Sequence, residues 1–365
     1  MLFSRRNEPA APSSRRLDMR RVSSVGTTGL CLLAFVIPVD FVTEAPGPTF
    51  NTIGDYKGKP LIEIEGTQTY PVAGNLDMTT VSVAGGPNST LGALQALSSW
   101  LGSSTTALPS DLIYDPTLTR DVVSAQNSAD MTNSQEVAQA AALTQLGIDY
   151  GEQLKVSGTV EGGPSAGLIQ EGEILTALDG APLKTYAELI DLLNQGKGKE
   201  TTLTLEKDGE TRDVTVTPVH NEELDRYVLG LYLSRTFDFP MQVTYGLEEV
   251  GGPSAGMMFA LGIMDELTEG EMTGGKHIAG TGTIDSDGRV GGIGGIRQKM
   301  YGAKEAGATV FLAPTENCNE VVGHIPDGLT VIGVSTLDEA AQAVTAIGTG
   351  TDPATLASCP LPDNQ

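Results

Sequence analysis

Gly251-Gly252-Pro253-Ser254-Ala255-Gly256-Met257-Met258-Phe259-Ala260-Leu261-Gly262-Ile263-Met264 is the stretch that decides how the second half of this chain is read. Met257, Met258, Ala260, Leu261, Ile263, Met264 and Leu267 fall at i, i+3, i+4 and i+7 spacings, which predicts a half-buried helix starting near Ala255. A serine at such a start has backbone N–H groups aimed toward it, and the helix dipole favours negative charge that develops there. Ser254 therefore has the setting of a nucleophile, with Gly252 and Ala255 as supporting residues.

The same hexapeptide occurs a second time, as Gly162-Gly163-Pro164-Ser165-Ala166-Gly167. There it leads into a short stretch and a strand, so Ser165 reads as structural. A serine hydroxyl needs a base. His220, His277 and His324 lie in no motif that supplies one, and they form no metal-binding pattern; no metal or other cofactor is expected. Lysine serves when desolvation or a neighbouring charge brings its pKa toward neutrality. Lys299 follows Gly291-Gly292-Ile293-Gly294-Gly295, whose glycines permit close backbone approach to a helix start. On composition alone it reads as a solvated helix lysine.

Working outward, 228–233 and 241–245 are apolar and β-prone, and 278–284 is strand-like before an Asp285-Ser286-Asp287-Gly288 turn. A helix is expected over 296–306, buried strands at 310–314 and 330–334, a last helix at 337–347 and a loose tail after 351. The matching residues are Gly252-Pro253-Ser254-Ala255-Gly256, Thr281-Gly282 with Gly288-x-Val290, Gly294-Gly295-Ile296-x-x-Lys299, Ala303-x-x-Ala306-Gly307 and Pro314-x-Glu316-Asn317. In this order they resemble the proteolytic domain of Lon proteases, which use a Ser-Lys dyad. The resemblance implies Ser254 as nucleophile, Lys299, 45 positions on, as base, and Thr281 as a hydrogen-bond partner of the lysine. Two departures stand out. Lon proteases commonly carry an acidic residue three positions before the serine, where this chain has Gly251, with Glu249 nearby. No Gly-x-x-x-x-Gly-Lys-Ser/Thr loop occurs, which implies action without ATP on flexible or unfolded segments.

Residues 151–219 have a different texture. Strands are expected at 156–160 and 174–178, a helix from Thr185, and a hairpin turning at Lys207-Asp208-Gly209-Glu210. Gly163-Pro164-Ser165-Ala166-Gly167-Leu168, Gly172-Glu173-Ile174-Leu175 and Leu178-Asp179-Gly180 make this unit resemble a PDZ domain, a fold that takes up peptides as an added strand. Its carboxylate-binding loop is expected before Val156.

In the first half, 61–64 and 79–83 alternate like strands. Leu91, Leu94, Leu97 and Leu101 suggest a helix over 88–101, and Asn133-Ser134-Gln135-Glu136 suggests the cap of a helix reaching Leu146. Six arginines within the first 21 residues precede an uncharged, apolar stretch, 22–39, which as a helix extends roughly 27 Å and suffices to span a bilayer. The arginines place the remainder outside the cytoplasm. A cleaved signal peptide is the rival reading, but no clear small-x-small site precedes Ala45-Pro46-Gly47-Pro48. Elsewhere acidic residues outnumber basic ones, 46 to 22 over the whole chain, so a nucleic-acid partner is not expected. Cys318 and Cys359 leave room for one disulfide but suggest no framework.

Anchor, PDZ unit and Lon-type domain together resemble the YlbL-like family. The expected organisation is an α+β chain: a basic tail (1–21), a transmembrane signal-anchor (22–42), a linker (43–60), the N-terminal part of the peptidase region (61–150), an inserted PDZ domain (151–219), a Lon-type proteolytic domain (220–350) and a tail (351–365). The expected partners are protein or peptide substrates and the lipid bilayer, with assembly into a homo-oligomeric ring allowed by the resemblance. The competing reading is a catalytically silent membrane-bound PDZ adaptor that binds peptide termini; the presence of both Ser254 and Lys299 favours the enzyme.

Overall fold

The computed structural model describes residues 38–359 apart from 88–90, 116, 223, 248, 249 and 357, together with 23 and 26–29. The basic tail, Cys31 and most of the apolar run, Glu249 and the final residues lie outside these. The longer α-helices among the described residues are α1 (Ala93–Leu101), α2 (Arg120–Leu146), α3 (Tyr186–Gly196), α4 (Gly256–Leu267) and α5 (Ile296–Glu305), followed by the four-residue α6 (Cys318–Val321) and α7 (Leu337–Gly348). The described chain forms two compact units, one from residues up to 45 with 83–120 and one from 46–82 with 121 onward.

The larger unit is built on a sheet in the order Thr330–Val334, Val310–Pro314, His277–Gly280, Asn75–Ala84, Phe41–Asn51, the first four strands being parallel. A parallel strand covered on both faces needs a continuous apolar run rather than alternation. Val-Phe-Leu-Ala-Pro at 310–314 is such a run and is buried throughout. Alternate side chains serve opposite layers. Ile278, Val310, Leu312 and Ile332 join the core of α4 and α7, while Ala279, Phe311, Ala313 and Val331 pack with Ile296, Met300 and Ala303 of α5. Helix α4 is not half-buried as its pattern predicts: Gly256 to Asp265 are all buried. Met131, Ala138, Ala141 and Ala142 of α2 join the same core and close over the face that would otherwise meet solvent.

Helix α2 itself begins thirteen residues earlier than the predicted cap, so Ser134 lies mid-helix and faces inward. The expected linker over 43–60 is mostly strand. Gly47 in Phe41–Asn51 is closely flanked: a Cβ on it would fall 2.8 Å from the Thr80 backbone, and a Cβ on Gly302 of α5 would sit 3.1 Å from its carbonyl oxygen. The end of the expected 22–42 span is also extended. Pro38–Val39 pairs with Leu91–Gly92, and proline, lacking an N–H, resists continuing a helix there. Among the described residues no helix is long and apolar enough to cross a membrane.

Residues 151–238 form a second sheet with a core of its own, including Leu154, Val156, Leu175, Leu189 and Leu203. Its order is Glu210–Val216, Thr201–Lys207, Ile174–Leu178, Gly151–Thr159, Leu231–Asp238. The sheet takes in a strand beyond the expected boundary at 219, because Leu231–Asp238 pairs with Gly151–Thr159. That pairing also removes the expected loop before Val156; residues 151–155 are strand, and the edge strand is entered instead through Leu229-Gly230. In the smaller unit, Thr106–Pro109 pairs with the start of Phe41–Asn51. Helix α1 begins only at Ala93, since Leu91–Gly92 are taken by the Pro38–Val39 pairing.

The described residues after 351 are tied down, because Cys359 is disulfide-bonded to Cys318 at the start of α6. Cys359→Ser is expected to lower unfolding stability by about 2–4 kcal/mol, the usual worth of a disulfide closing a loop of this order. Urea denaturation under non-reducing conditions measures it, and an unchanged midpoint would contradict a formed bond.

Candidate active site

Three segments far apart in sequence meet at Ser254. Pro253 and Gly252 are held against α2: the Gly252 N–H donates to the Asn127 carbonyl at 2.8 Å, and the Ser134 hydroxyl donates to the Pro253 carbonyl at 3.1 Å. Gly252 has φ +89°, a backbone conformation that side chains penalise. Ala255 is the buried cap residue of α4. The Ser254 carbonyl accepts from the Gly282 N–H and the Thr281 hydroxyl, each at 2.9 Å.

Lys299 is delivered from the other side. Its helix, α5, starts from Gly295 at φ +69°, and the Lys299 N–H closes the first turn onto the Gly295 carbonyl at 3.1 Å. The loop before it is clamped by two consecutive residues. Glu316 accepts from the Gly292 N–H at 2.7 Å; Asn317 accepts from the Ile293 N–H at 2.9 Å and donates back to the Ile293 carbonyl at 2.8 Å. Its Nζ then hydrogen-bonds Ser254 Oγ at 2.7 Å and Thr281 Oγ1 at 2.9 Å. Lys299 is 2% exposed and Thr281 0%, whereas Ser254 is only partly covered. The hydroxyl is thus open to a substrate on one side and backed by a buried amine on the other.

The residues singled out in the sequence, Ser254, Lys299, Thr281, Ala255 and Gly252, are all brought to this place. Ser165 is not: its hydroxyl is fully buried and donates to the Leu229 carbonyl at 2.7 Å inside the second sheet's core. His277 is bonded to Asp77 at 2.7 Å at the far end of the strand that leads to Thr281, and His324 contacts its neighbouring carbonyl of Val322. Asn127, Ser134, Glu316 and Asn317 carry no site role that the sequence alone reveals. The last two belong to the Pro314-x-Glu316-Asn317 motif, which is the only signal available for them.

Carboxyl groups perturbed by burial lie elsewhere. Desolvation, reinforced by Asp265, pushes Glu266 up to about 7, and desolvation also raises Asp265. Both sit in the last turn of α4, about 17 Å along the helix from Ser254, where the dipole opposes negative charge as well. The folded state of Glu266 holds its proton longer than the unfolded chain, so its contribution to stability is present below the ordinary value of 4.5 and is lost as pH rises to about 7. Glu266→Gln should flatten stability over that window, read from chemical denaturation at successive pH values; an unaltered profile contradicts the assignment.

Residues 233–346 match the Lon protease (S16) C-terminal proteolytic domain, and residues 163–221 match the Tricorn protease PDZ domain. Lon protease 1 of Bacillus subtilis is 35% identical over 106 residues, 28% of this chain. Lon protease 2 of Herpetosiphon aurantiacus is 36% identical over 105 residues, again 28% of this chain. In both, the matched stretch is 13% of the relative's length, so this chain shares only a small part of those proteins. A crystal structure of the PDZ domain of an SdrC-like protein from Listeria monocytogenes aligns with 22% of this chain and 85% of its own, at 17% identity and a TM-score of 0.21. The chain thus carries a Lon-type serine-peptidase domain and a PDZ domain.

Gly251, standing where Lon proteases commonly have an acidic residue, has a steric reason: a Cβ there would lie 2.8 Å from Asn127 Cβ on α2. Gly251→Glu is expected to cost about 1–3 kcal/mol of stability through overpacking without raising turnover. A thermal melt paired with an activity assay checks both, and a more active, equally stable variant would show that the acidic group is missed.

Proposed function

We propose that this protein is a Ser-Lys endopeptidase that cleaves unfolded or flexible protein segments outside the cytoplasm, without ATP, while held to the membrane by its N-terminal apolar run. The observation that carries the proposal is the buried Lys299 amine at 2.7 Å from Ser254 Oγ. In its neutral form the amine takes the hydroxyl proton as Oγ attacks the scissile carbonyl. The oxyanion forms beside the N-terminal end of α4, whose dipole favours negative charge there. The resulting ammonium returns its proton to the leaving amine, giving an acyl-enzyme, and water repeats the sequence to release the acid. Thr281 holds the amine in line throughout. A silent adaptor has no use for a buried amine so placed, which favours the enzyme.

The compartment is supported by the Cys318–Cys359 bond, a feature of oxidising surroundings, and by the arginines flanking the apolar run. With 38–39 paired as strand, the run available to the anchor shortens to 22–37. Anchor, PDZ unit and peptidase domain are the YlbL-like arrangement. Within it the strand Leu231–Asp238, at the edge of the PDZ sheet, is the place for a peptide to add as a further strand. Arg235 on that strand donates to Ser286 in the 285–288 turn of the peptidase domain, giving the bound peptide a physical neighbour there.

With the full chain in detergent and an unfolded protein as substrate, Ser254→Ala or Lys299→Met should lower kcat/KM by about a thousandfold or more. ATP should have no effect, and the wild-type rate should climb with pH because the neutral amine is the competent form. Ser165→Ala should leave the chemistry intact yet cost about 1–3 kcal/mol of stability, since the Leu229 carbonyl loses its buried donor. Cleavage that persists undiminished in Ser254→Ala would falsify the nucleophile.

A further inference from the structure

Helix α1 is inside out by the standard of a water-facing helix. Its covered side is made of small residues, with Ala96 buried, whereas Leu97 is 50%, Trp100 69% and Leu101 71% exposed. Leu94 adds to the same face, and Leu112 and Ile113 of the following segment are exposed as well. Nine of the sixteen exposed large hydrophobic side chains among the described residues belong to this smaller unit. The sequence around the helix is equally unusual. From Met78 to Ser110 there is no Asp, Glu, Lys or Arg, in a chain where those residues make up 19% and the net charge is -24.

A second observation says what meets this face. The part of the N-terminal apolar run left for the anchor ends at Ile37, and the next two residues, Pro38–Val39, pair with Leu91–Gly92. Gly92 is the cap residue of α1. The helix is therefore hydrogen-bonded, within one residue of its start, to the point where the apolar run ends. Resting on the proposed membrane anchor, we infer that α1 lies in the outer interface of the bilayer, with Leu94, Leu97, Trp100 and Leu101 among the acyl chains. An exposed tryptophan flanked by leucines and free of charge suits that layer. The uncharged stretch is the part of this acidic surface that anionic headgroups repel least. The anchor is then not a tether alone; a second contact holds the smaller unit at a set height on the membrane.

Trp100 is the single tryptophan of the chain, so its fluorescence reports this contact without labelling. The full chain is reconstituted into phosphatidylcholine vesicles, with or without bromine near the glycerol end of the acyl chains, and floated on a density gradient. The expected result is co-flotation, Trp100 emission shifted to shorter wavelength, and loss of that emission in the brominated vesicles. Leu97→Glu with Leu101→Glu should abolish the quenching while flotation through the anchor persists; these side chains are exposed, so the fold is spared. Flotation with unquenched Trp100 overturns the inference and leaves the anchor standing. Failure to float overturns the anchor and the inference with it. Emission that is blue-shifted, unquenched by bromine and reversed by dilution in detergent assigns the face to a second copy of this chain and also overturns it.

Discussion

Everything around the site answers to one constraint, the keeping of a lysine amine out of water. Removing an amine from solvent is costly unless its donors find partners, and Lys299 finds two hydroxyls, those of Ser254 and Thr281. Thr281 is in turn fixed by its own donation to the Ser254 carbonyl. The three residues close a ring in which Ser254 takes part twice, through its hydroxyl and through its backbone. A backbone shift of Ser254 away from the lysine also strains its bond to the threonine. Positional accuracy of this kind is what proton transfer at the start of an acyl transfer requires.

That ring depends on parts of the chain with no chemistry of their own. The loop in front of α5 has little side-chain packing to fix it, being rich in glycine, and Glu316 and Asn317 fix its backbone instead. Cys318 comes directly after and is tied to Cys359. The C-terminal segment is thereby connected, through one disulfide and one clamp, to the loop that leads into Lys299. On the serine side α2 does the same with Asn127 and Ser134. Both clamps act on backbone groups, so side-chain identity within the glycine-rich segments is free to be small, and close approach makes it necessary at Gly251 and Gly256.

How much of this was legible in the sequence depends on whether a signal was local. Val310–Pro314, Thr330–Val334 and Ile174–Leu178 were readable because a buried strand is an apolar run bounded by turn residues. Thr185, too, was readable, its hydroxyl accepting from the Glu188 N–H at the start of α3. Phe41–Asn51 was not readable, since Glu44, Pro46, Gly47 and Pro48 argue against a strand, and the neighbour that leaves no room for a side chain at Gly47, Thr80, lies 33 positions away. The first half of α2 was missed for a similar reason. Residues 120–130 bury nothing that periodicity can find, and Asn127 works through its backbone. Lys299 was legible only by resemblance, because the hydroxyls that receive it lie 45 and 18 positions away.

The repeated Gly-Gly-Pro-Ser-Ala-Gly shows why local sequence cannot by itself name an active serine. At 162–167 the turn leads into no helix, and the hydroxyl is enclosed and donates to the Leu229 carbonyl. There it satisfies a buried backbone acceptor beside the turn that enters the edge strand, a structural task for which accessibility has no value. At 251–256 the same turn opens α4, leaving the hydroxyl partly exposed with an amine behind it. There the start of α4 and the segment that carries Lys299 both meet at the hydroxyl, as neither does at Ser165. The physical difference lies wholly outside the six residues, in the helix that continues the chain at 256 and in the α2 and α5 segments packed against the turn.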